Sequence, residues 1–330
     1  MSPEGCRGNA MNNVLSKLGK IGLVPVIKLD SHEEAIPLGK ALLEGGLPVA
    51  EITFRTAAAE DSIKILAQRL PELLLGAGTI LSTTQVDAAV AAGARYIVTP
   101  GFNPKVVAYC VEKRIPVIPG VNSASHVEQA MEMGLDVVKF FPAGPSGGVD
   151  MLKAFAGPYG DRISFIPTGG VGPNNLTDYL LCPNVFAVGG SWMVPSDAIT
   201  AGDFAKIGAL CREARLLSLG FSLLHIGINP SEEKESIAEA REFAEMLGMS
   251  FKEGSSSTFV GKSFEFMKIK KYGDNGHIAI ETLSVERALE WFAGFGVKPI
   301  EETIKKKGKH ISTAYLDREI LGFALHLNRR

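Results

Sequence analysis

Short apolar segments alternate with helical stretches between residues 21 and 219, and this alternation limits the choice of fold more than any other feature of the chain. A strand, a helix and a further strand in succession are typical of a parallel βαβ unit. Most of the segments are apolar throughout, as strands buried on both faces are. Eight are present, at residues 23–29, 49–53, 73–77, 96–99, 116–119, 137–140, 164–167 and 185–189. The pattern predicts an α/β fold, a (β/α)8 TIM barrel.

Length and charge narrow the class of protein. At 330 residues the chain exceeds one ordinary domain, and we expect the barrel in residues 1–219 and a smaller α+β domain in residues 220–330. The 34 basic and 36 acidic residues give a formal charge of −2, which argues against a nucleic-acid or membrane partner. The lysine-rich run at residues 305–309 is expected to be a solvated loop.

Features of the chain as a whole predict a cytoplasmic protein. There is no run of about 18 apolar residues, and no basic segment followed by an apolar one at the start. The 4 cysteines are scattered without CxxC spacing, which suits a reducing compartment. The first ten residues are polar and glycine-rich, so we expect them to be disordered, with Met11 as an alternative start.

A lysine stands among valines and phenylalanines in the segment Val137–Phe140. In one interpretation Lys139 carries its ammonium to water or pairs with a carboxylate. In the other the site desolvates it, favours the neutral amine, and lets it attack a carbonyl to form a Schiff base. The strand ends, where barrel chemistry gathers, decide between the two. Their polar or special residues are Glu51, Arg55, Thr79, Pro100, Lys139, Thr168, Gly169, Gly170, Gly189, Gly190 and Ser191.

These strand-end residues form a chemically coherent set. Glu51 could pair with Arg55, or it could lie beside Lys139 and move protons as a carbinolamine forms and loses water. Arg55 offers two donors to a substrate carboxylate, and the Thr79 hydroxyl a third. Residues 168–170 and 189–191 follow the last two strands, where many barrels bind phosphate. The set predicts a 2-oxo acid phosphate as substrate and aldol cleavage or condensation as the reaction.

A metal-dependent form of this chemistry would need a cluster of ligands. Only His32 and His126 fall in this part of the chain, and helix capping explains His32 more simply. We therefore expect the barrel to work without a metal or other cofactor.

Seven short motifs of the first domain together resemble a known enzyme family. "EITFRT", "GAGT", "YIVTPGFNP", "IPG", "KFFPA", "IPTGG" and "AVGGSW", in this order between residues 18 and 194, resemble the 2-keto-3-deoxy-6-phosphogluconate (KDPG) and 4-hydroxy-2-oxoglutarate (KHG) aldolases. The resemblance implies a homotrimeric class I aldolase. It would cleave KDPG to pyruvate and glyceraldehyde 3-phosphate, and KHG to pyruvate and glyoxylate.

The resemblance also implies a role for each matching residue. Lys139 is the implied Schiff-base lysine and Glu51 the implied acid/base. The implied pyruvate-end and pocket residues are Arg55, Thr79, Pro100 and Phe141, and the implied phosphate site comprises Gly169, Gly170, Gly190 and Ser191, next to Thr168.

The last third of the chain contains an internal repeat. "HIGIN" at His225 and "HIAIE" at His277 each precede a helical stretch and then short strands. Two βαβββ units in tandem resemble the vicinal oxygen chelate family, which includes glyoxalases and dioxygenases. That resemblance implies metal ligands on the first and last strands of each unit.

The ligand positions implied in the second domain are His225, Glu265 and His277, with the fourth in doubt. Aligning "SFEFMKI" with "GFALHL" puts Ala324 at the fourth position and His326 two residues further on the same face. Three roles stay open for this domain: a divalent-metal lyase or isomerase in a bifunctional chain, a metabolite-sensing regulatory module, and a metal-free packing module.

Overall fold

The computed structural model describes residues 13–231 and 236–330. The chain divides into two compact units, one that ends at Ser218 and one that spans Leu219–Arg330. The stretch expected to be disordered, residues 1–10, and Met11 lie outside the described residues. None of the described helices has the length and apolarity needed to cross a membrane.

The first unit alternates strands and helices, so the predicted α/β class is confirmed. Its strands are β1 (Leu23–Ile27), β2 (Val49–Thr53), β3 (Leu74–Gly78), β4 (Tyr96–Val98), β5 (Val117–Ile118), β6 (Gly120–Val121), β7 (Val137–Phe140), β8 (Ser164–Pro167) and β9 (Val188–Gly190). Its helices are α1 (13–21), α2 (Ala35–Glu44), α3 (Ala59–Arg69), α4 (Thr83–Ala92), α5 (Pro104–Glu112), α6 (Ala124–Glu132), α7 (Gly148–Tyr159), α8 (Leu176–Leu180), α9 (Ser196–Thr200) and α10 (Phe204–Leu219). Short 3₁₀ turns occupy His32–Glu34 and Gly160–Arg162.

The strands of the first unit form two parallel sheets. One sheet has the order β5-β4-β3-β2-β1-β9, and β6, β7 and β8 form a second parallel sheet. Isolated bridges from Phe165 to Val185 and from Thr168 to Gly189 connect the second sheet to the last strand. The segment predicted as the fifth strand, residues 116–119, contains β5, and Pro119, which has no N–H to donate, separates β5 from β6. Its carbonyl still accepts from the Lys139 N–H at 2.9 Å, so the eight strand segments follow one another around a ring.

Local sequence explains where the helices of this unit begin. Ser82 and Ser123 cap α4 and α6, because each hydroxyl accepts a backbone N–H from the first turn. Asn103 caps α5, and Pro104 follows at the first helical position, where no N–H is needed. Every residue of β2, β3 and β7 is buried, as both faces of a parallel sheet covered by helices require.

The second unit consists mostly of sheet. Its elements are β10 (Ser222–Ile228), α11 (Ser236–Leu247), β11 (Phe251–Glu253), β12 (Ser257–Val260), β13 (Phe264–Met267), β14 (Gly276–Thr282), α12 (Val285–Ala293), β15 (Lys305–Lys307), β16 (His310–Ile320) and β17 (Phe323–Arg329), with a 3₁₀ turn at Glu301–Thr303. The chain thus runs β-α-β-β-β twice, as the repeat predicted.

A single eight-stranded sheet holds both repeats, in the order β11-β12-β13-β10-β14-β17-β16-β15. In each repeat the first strand pairs in parallel with the last, β10 with β13 and β14 with β17. The repeats meet where β10 and β14 pair antiparallel at the centre of the sheet.

The lysine-rich run is exposed, as expected, but only its last two residues, 308–309, lie in a turn. Residues Lys305–Lys307 form β15, the outer strand next to β16, with all three side chains exposed. Lysines on an edge strand hinder pairing with another chain, which gives this run a structural explanation.

Candidate active site

Alternation along β7 directs the Lys139 side chain to the interior of the ring. Phe140, its neighbour, packs edge-on against Phe155 of α7 and Phe165 of β8, on the side covered by helices. Because successive side chains of a strand point to opposite faces, Lys139 points the other way. Only 6% of Lys139 is exposed.

Glu51 of β2 lies opposite Lys139 and is its ion-pair partner. The Lys139 Nζ donates to Glu51 Oε1 at 3.1 Å, and Glu51 is 4% exposed. Arg55, the other predicted candidate for pairing with Glu51, is exposed and donates instead to the Thr53 hydroxyl at 3.1 Å. The Glu51 carboxylate therefore pairs with Lys139 and not with Arg55.

Two glycines of β3, which sequence reasoning did not single out, make room for Glu51 and for its neighbour Tyr96. A Cβ at Gly78 would lie 2.3 Å from Glu51 Oε1. A Cβ at Gly76 would lie 2.2 Å from the ring of Tyr96, on the neighbouring strand. The glycine spacing in "GAGT" was quoted as a motif, but only the register of β2, β3 and β4 shows what each glycine faces.

Tyr96 was also missed, because a tyrosine in an apolar strand reads as core. Its hydroxyl donates to the Ala50 carbonyl at 3.4 Å. Burial, and then the nearby carboxylate of Glu51, raise the pKa of Tyr96 well above its ordinary value, so the phenol stays neutral. Both members of the ion pair line a small cavity whose other walls are mainly apolar: Leu18, Val24, Tyr96, Val98, Ile118 and Ile166.

The remaining residues predicted for the pyruvate end lie on loops at the strand ends. Thr79 follows β3 with φ at 57°, and Pro100 follows β4 close to Gly120, whose Cβ would lie 2.2 Å from the Pro100 carbonyl oxygen. The Lys139 Nζ is 5.4 Å from the centre of the Phe141 ring. Thr79, Pro100 and Phe141 are all partly exposed, as residues at a pocket mouth are.

The predicted phosphate loops are joined to the loop after β7. The Ala143 N–H donates to the Thr168 carbonyl and the Gly144 N–H to the Gly169 carbonyl, both at 2.8 Å. Gly169 and Gly170 have φ of 85° and 83°, which a residue with a side chain rarely adopts. These two glycines reach the surface beside the loop that follows Lys139.

The predicted phosphate residues Gly189 and Gly190 lie in β9 itself, directly before Ser191. A Cβ at Gly189 would lie 2.3 Å from the Thr168 hydroxyl, and one at Gly190 would lie 1.8 Å from the ring of Trp192. Ser191 is exposed. Gly189 therefore lets the neighbouring segment at Thr168 approach closely, and Gly190 leaves room for the Trp192 ring of its own segment.

Comparison with known proteins identifies this arrangement. The family model "KDPG and KHG aldolase" matches residues 14–210, which is more than half of the chain. The chain belongs to the KDPG and KHG aldolase family. It is therefore an enzyme, an aldolase and so a lyase. The match ends before the second unit begins.

Relatives of the family are similar across nearly their whole length. A 2-dehydro-3-deoxy-phosphogluconate aldolase of Treponema pallidum is 46% identical, with 62% of this chain and 96% of that protein covered. The enzyme of the same name from Haemophilus influenzae is 47% identical, with 61% and 94% covered.

Solved aldolases share the fold of the first unit. The KDPG aldolase of Legionella pneumophila, with pyruvate captured as a covalent carbinolamine, is 41% identical, with a TM-score of 0.57 over 58% of this chain and 93% of that one. The Zymomonas mobilis ZM4 enzyme with 3-phosphoglycerate is 37% identical, with a TM-score of 0.57 over 63% and 95%.

The predicted ligands of the second unit lie together. The His225 and His277 Nε2 atoms are 3.0 and 3.2 Å from Glu265 Oε2, and 3.1 Å from each other. Ser257 donates to the other carboxylate oxygen at 2.5 Å. Burial opposes ionisation of Glu265, yet hydrogen bonds from His225, His277 and Ser257 hold the pKa of its carboxyl well below the usual range.

The alignment that placed Ala324 at the fourth ligand position was wrong by two residues. Glu265 pairs with Gly227, two residues beyond His225. The corresponding partner of Ala279, two residues beyond His277, is His326, whereas Ala324 pairs with His277 itself. A slip of two residues keeps a side chain on the same face, so the alternating pattern alone could not reveal it.

The ring of His326 lies beside the other two histidines. One nitrogen from each of His225, His277 and His326 falls within 4.8 Å of the others. The ring stacks on Tyr315 at 4.5 Å with 6° between planes. Burial, with the two neighbouring histidines, lowers the pKa of His326 to about 4.

Proposed function

We propose that the first unit is a class I aldolase that cleaves KDPG to pyruvate and glyceraldehyde 3-phosphate through a Schiff base on Lys139. The observation that carries this proposal is the buried pair of Lys139 and Glu51, 3.1 Å apart. A buried ion pair is a poor way to stabilise a fold, because desolvation offsets the attraction. Buried, coupled charges instead mark candidate functional sites.

The geometry suits covalent catalysis by the lysine. Glu51 is close enough to take the proton that Lys139 must release before its amine attacks the C2 carbonyl of the substrate. Returned to the carbinolamine oxygen, that proton lets water leave and the protonated imine form. Loss of the C4 hydroxyl proton, with Glu51 as the proposed base, then breaks the C3–C4 bond. Glyceraldehyde 3-phosphate departs, the enamine is protonated at C3, and water releases pyruvate from Lys139.

The substrate has two anionic groups, a carboxylate and a phosphate, and each is assigned to one end of the site. We propose that Arg55 and Thr79 bind the carboxylate, with Pro100 and Phe141 as walls of the pocket. The backbone of Gly169, Gly170, Gly190 and Ser191, beside Thr168, would bind the phosphate. Pyruvate is bound as a carbinolamine in the Legionella enzyme and 3-phosphoglycerate is present in the Zymomonas enzyme, which supports a substrate that carries an oxo acid and a phosphate.

Some finer predictions remain part of the proposal. KHG, which gives pyruvate and glyoxylate, is the second proposed substrate, because the family model carries its name. The first unit is proposed to need no cofactor, and the homotrimer and the cytoplasmic location stay predictions.

Borohydride trapping tests the lysine. Wild type, Lys139→Met and the control Lys153→Met, which changes an exposed lysine, are reduced in the presence of pyruvate. We expect a pyruvyl adduct on Lys139 in wild type and control, located by peptide mass, and none in Lys139→Met. An active wild type that forms no adduct would refute the Schiff base.

For the second unit we propose a metal-dependent lyase or isomerase of the vicinal oxygen chelate type. The convergence of His225, Glu265 and His277 favours this over a metabolite sensor or a packing module. The separations of 3.0, 3.1 and 3.2 Å match those of two ligands of one ion, about 3.0 to 3.4 Å for bonds of about 2.1 Å. His225, Glu265 and His277 would hold the ion, which would supply Lewis-acid polarisation of substrate oxygen atoms.

Metal analysis tests the proposal for the second unit. We expect one divalent ion per chain of full-length protein after dialysis, and less than a tenth of that in His225→Ala. A wild type that binds no ion, but whose aldolase rate changes with an added metabolite, would support the sensor instead.

A further inference from the structure

We propose that Lys28 binds the phosphate of the substrate in the first unit and so sets the preference of the enzyme for phosphorylated substrates. Lys28 follows β1 directly and is not among the predicted site residues. This inference rests on the aldolase function proposed for the first unit, and it adds a cation to a phosphate site whose assigned residues carry none.

The residues assigned to the phosphate do not balance its charge. Thr168, Ser191 and the three glycines offer backbone N–H groups and hydroxyls, which are neutral donors. A phosphate monoester carries a charge of about −1.5 to −2 at pH 7. Lysine binds phosphate as a point charge in many proteins. A lysine at a neighbouring strand end would therefore supply the charge that the assigned residues lack.

Alternation along β1 places Lys28 on the inner face of the ring. Val24 of this strand lines the cavity at the buried ion pair. Ile27 and Leu29 are both 0% exposed, whereas Val26 and Lys28 are partly exposed. Because alternate side chains of a strand share a face, Lys28 shares the inner face with Val24 and Val26. It lies at the open, carboxyl end of that face.

Strand pairing brings the end of β1 beside the predicted phosphate residues. β1 lies parallel to β9, with Pro25 opposite Gly190. Ser191 follows Gly190 directly and Lys28 is three residues beyond Pro25, so both lie at the carboxyl ends of adjacent strands. On its other side β1 pairs with β2, which carries Glu51. The end of β1 therefore lies between the proposed acid/base and the predicted phosphate site, and the long, flexible stem of the lysine suits a cation that must reach its ligand.

The partner of Lys28 in this structure is one that a phosphate can replace. The Lys28 Nζ is 2.7 and 2.9 Å from the two carboxylate oxygens of Asp30. The two side chains are 38% and 63% exposed. Ion pairs in contact with water are weak, and a phosphate carries more negative charge than a carboxylate. We therefore expect Asp30 to hold the ammonium in the free enzyme and to release it to the substrate.

Two substrates that differ only in the phosphate test the inference. KDPG and its phosphate-free counterpart, 2-keto-3-deoxygluconate, are assayed with wild type, Lys28→Met, Lys28→Arg, Asp30→Asn and the control Lys40→Met. Lys40 is an exposed lysine of α2. Borohydride trapping with pyruvate gives a second reference without phosphate, which serves if wild type does not cleave 2-keto-3-deoxygluconate. Thermal unfolding shows whether each variant folds.

We expect Lys28→Met to lower kcat/KM for KDPG about tenfold or more, mainly through KM, because a hydrogen bond between charged groups is lost. Its kcat/KM for 2-keto-3-deoxygluconate and its pyruvate adduct should stay within about twofold of wild type, as Lys40→Met should with every substrate. Lys28→Arg should keep most of the preference for KDPG. Asp30→Asn should lower the KM for KDPG, because no carboxylate then competes with the phosphate.

Two results would overturn the inference. One is a Lys28→Met variant that keeps the wild-type kcat/KM for KDPG. The other is a folded Lys28→Met variant that loses activity equally with both substrates or loses the pyruvate adduct, since Lys28 would then act on a part of the substrate other than the phosphate. A wild type that cleaves neither substrate and forms no pyruvate adduct is a separate result, in which the proposed aldolase function itself fails.

Discussion

Replacing Gly78 by alanine should slow the aldolase on the order of 100-fold by moving Glu51, the proposed acid/base. The added Cβ would lie 2.3 Å from Glu51 Oε1, whereas carbon and oxygen in contact need about 3.3 Å, so the carboxylate must move by about 1 Å. A misplacement of that size costs on the order of 100-fold in rate, or about 2.7 kcal/mol in activation free energy. The backbone itself is not strained, because Gly78 has no positive φ.

A pyruvate-coupled assay gives kcat and KM for wild type, Gly78→Ala, Glu51→Gln and the double variant. If the alanine acts through Glu51, the double variant should be about as slow as Glu51→Gln alone, because two changes to one catalytic group are not additive. Gly157→Ala is the matched control, since no atom lies within 4 Å of its added Cβ. A Gly78→Ala rate within twofold of wild type, or additive losses in the double variant, would show the reasoning to be wrong.

Three further predictions concern other parts of the chain. Tyr96→Phe should lower the free energy of unfolding by less than about 1 kcal/mol, because the hydroxyl makes one long bond of 3.4 Å; urea unfolding checks this, and a loss above 2 kcal/mol would contradict it. Gly227→Ala should abolish metal binding but leave aldolase turnover unchanged, since its Cβ would meet the His277 ring at 2.0 Å; metal analysis and the coupled assay together decide. Cys110 and Cys211, whose pKa values burial raises to about 12, should react with a thiol reagent at pH 8 only after unfolding, as peptide mapping would show.

The sequence predicted the residues that meet at the carboxyl ends of the strands. A lysine in a buried strand and a glutamate at the end of another were expected to meet, because the carboxyl ends of parallel strands gather at one side of a ring. The structure brings Lys139 and Glu51 to 3.1 Å. Their catalytic roles remain proposals.

What the sequence could not supply is the register between strands. The contact of Gly78 with Glu51 depends on which residues of β2 and β3 lie side by side. The missing register also explains the wrong alignment at Ala324. Two alignments of the repeats that differ by two residues place the same side chains on the same face, and only the pairing of β14 with β17 distinguishes them. The break of the fifth strand at Pro119 was likewise outside the reach of a hydrophobic pattern.

The antiparallel pairing of β10 with β14 relates the two repeats of the second unit by a local twofold, and this symmetry has a consequence for charge. Suppose that the two repeats were separate, identical chains that paired in the way β10 pairs with β14. The residue at the position of Glu265 would then be the same in both chains. In one continuous chain the counterparts can differ, and here one is an acid and the other a histidine. A divalent ion held by two carboxylates would be neutralised, whereas held by one it keeps a single positive charge. An anionic molecule would therefore be attracted to this centre by a charge that a symmetric pair of glutamates would cancel.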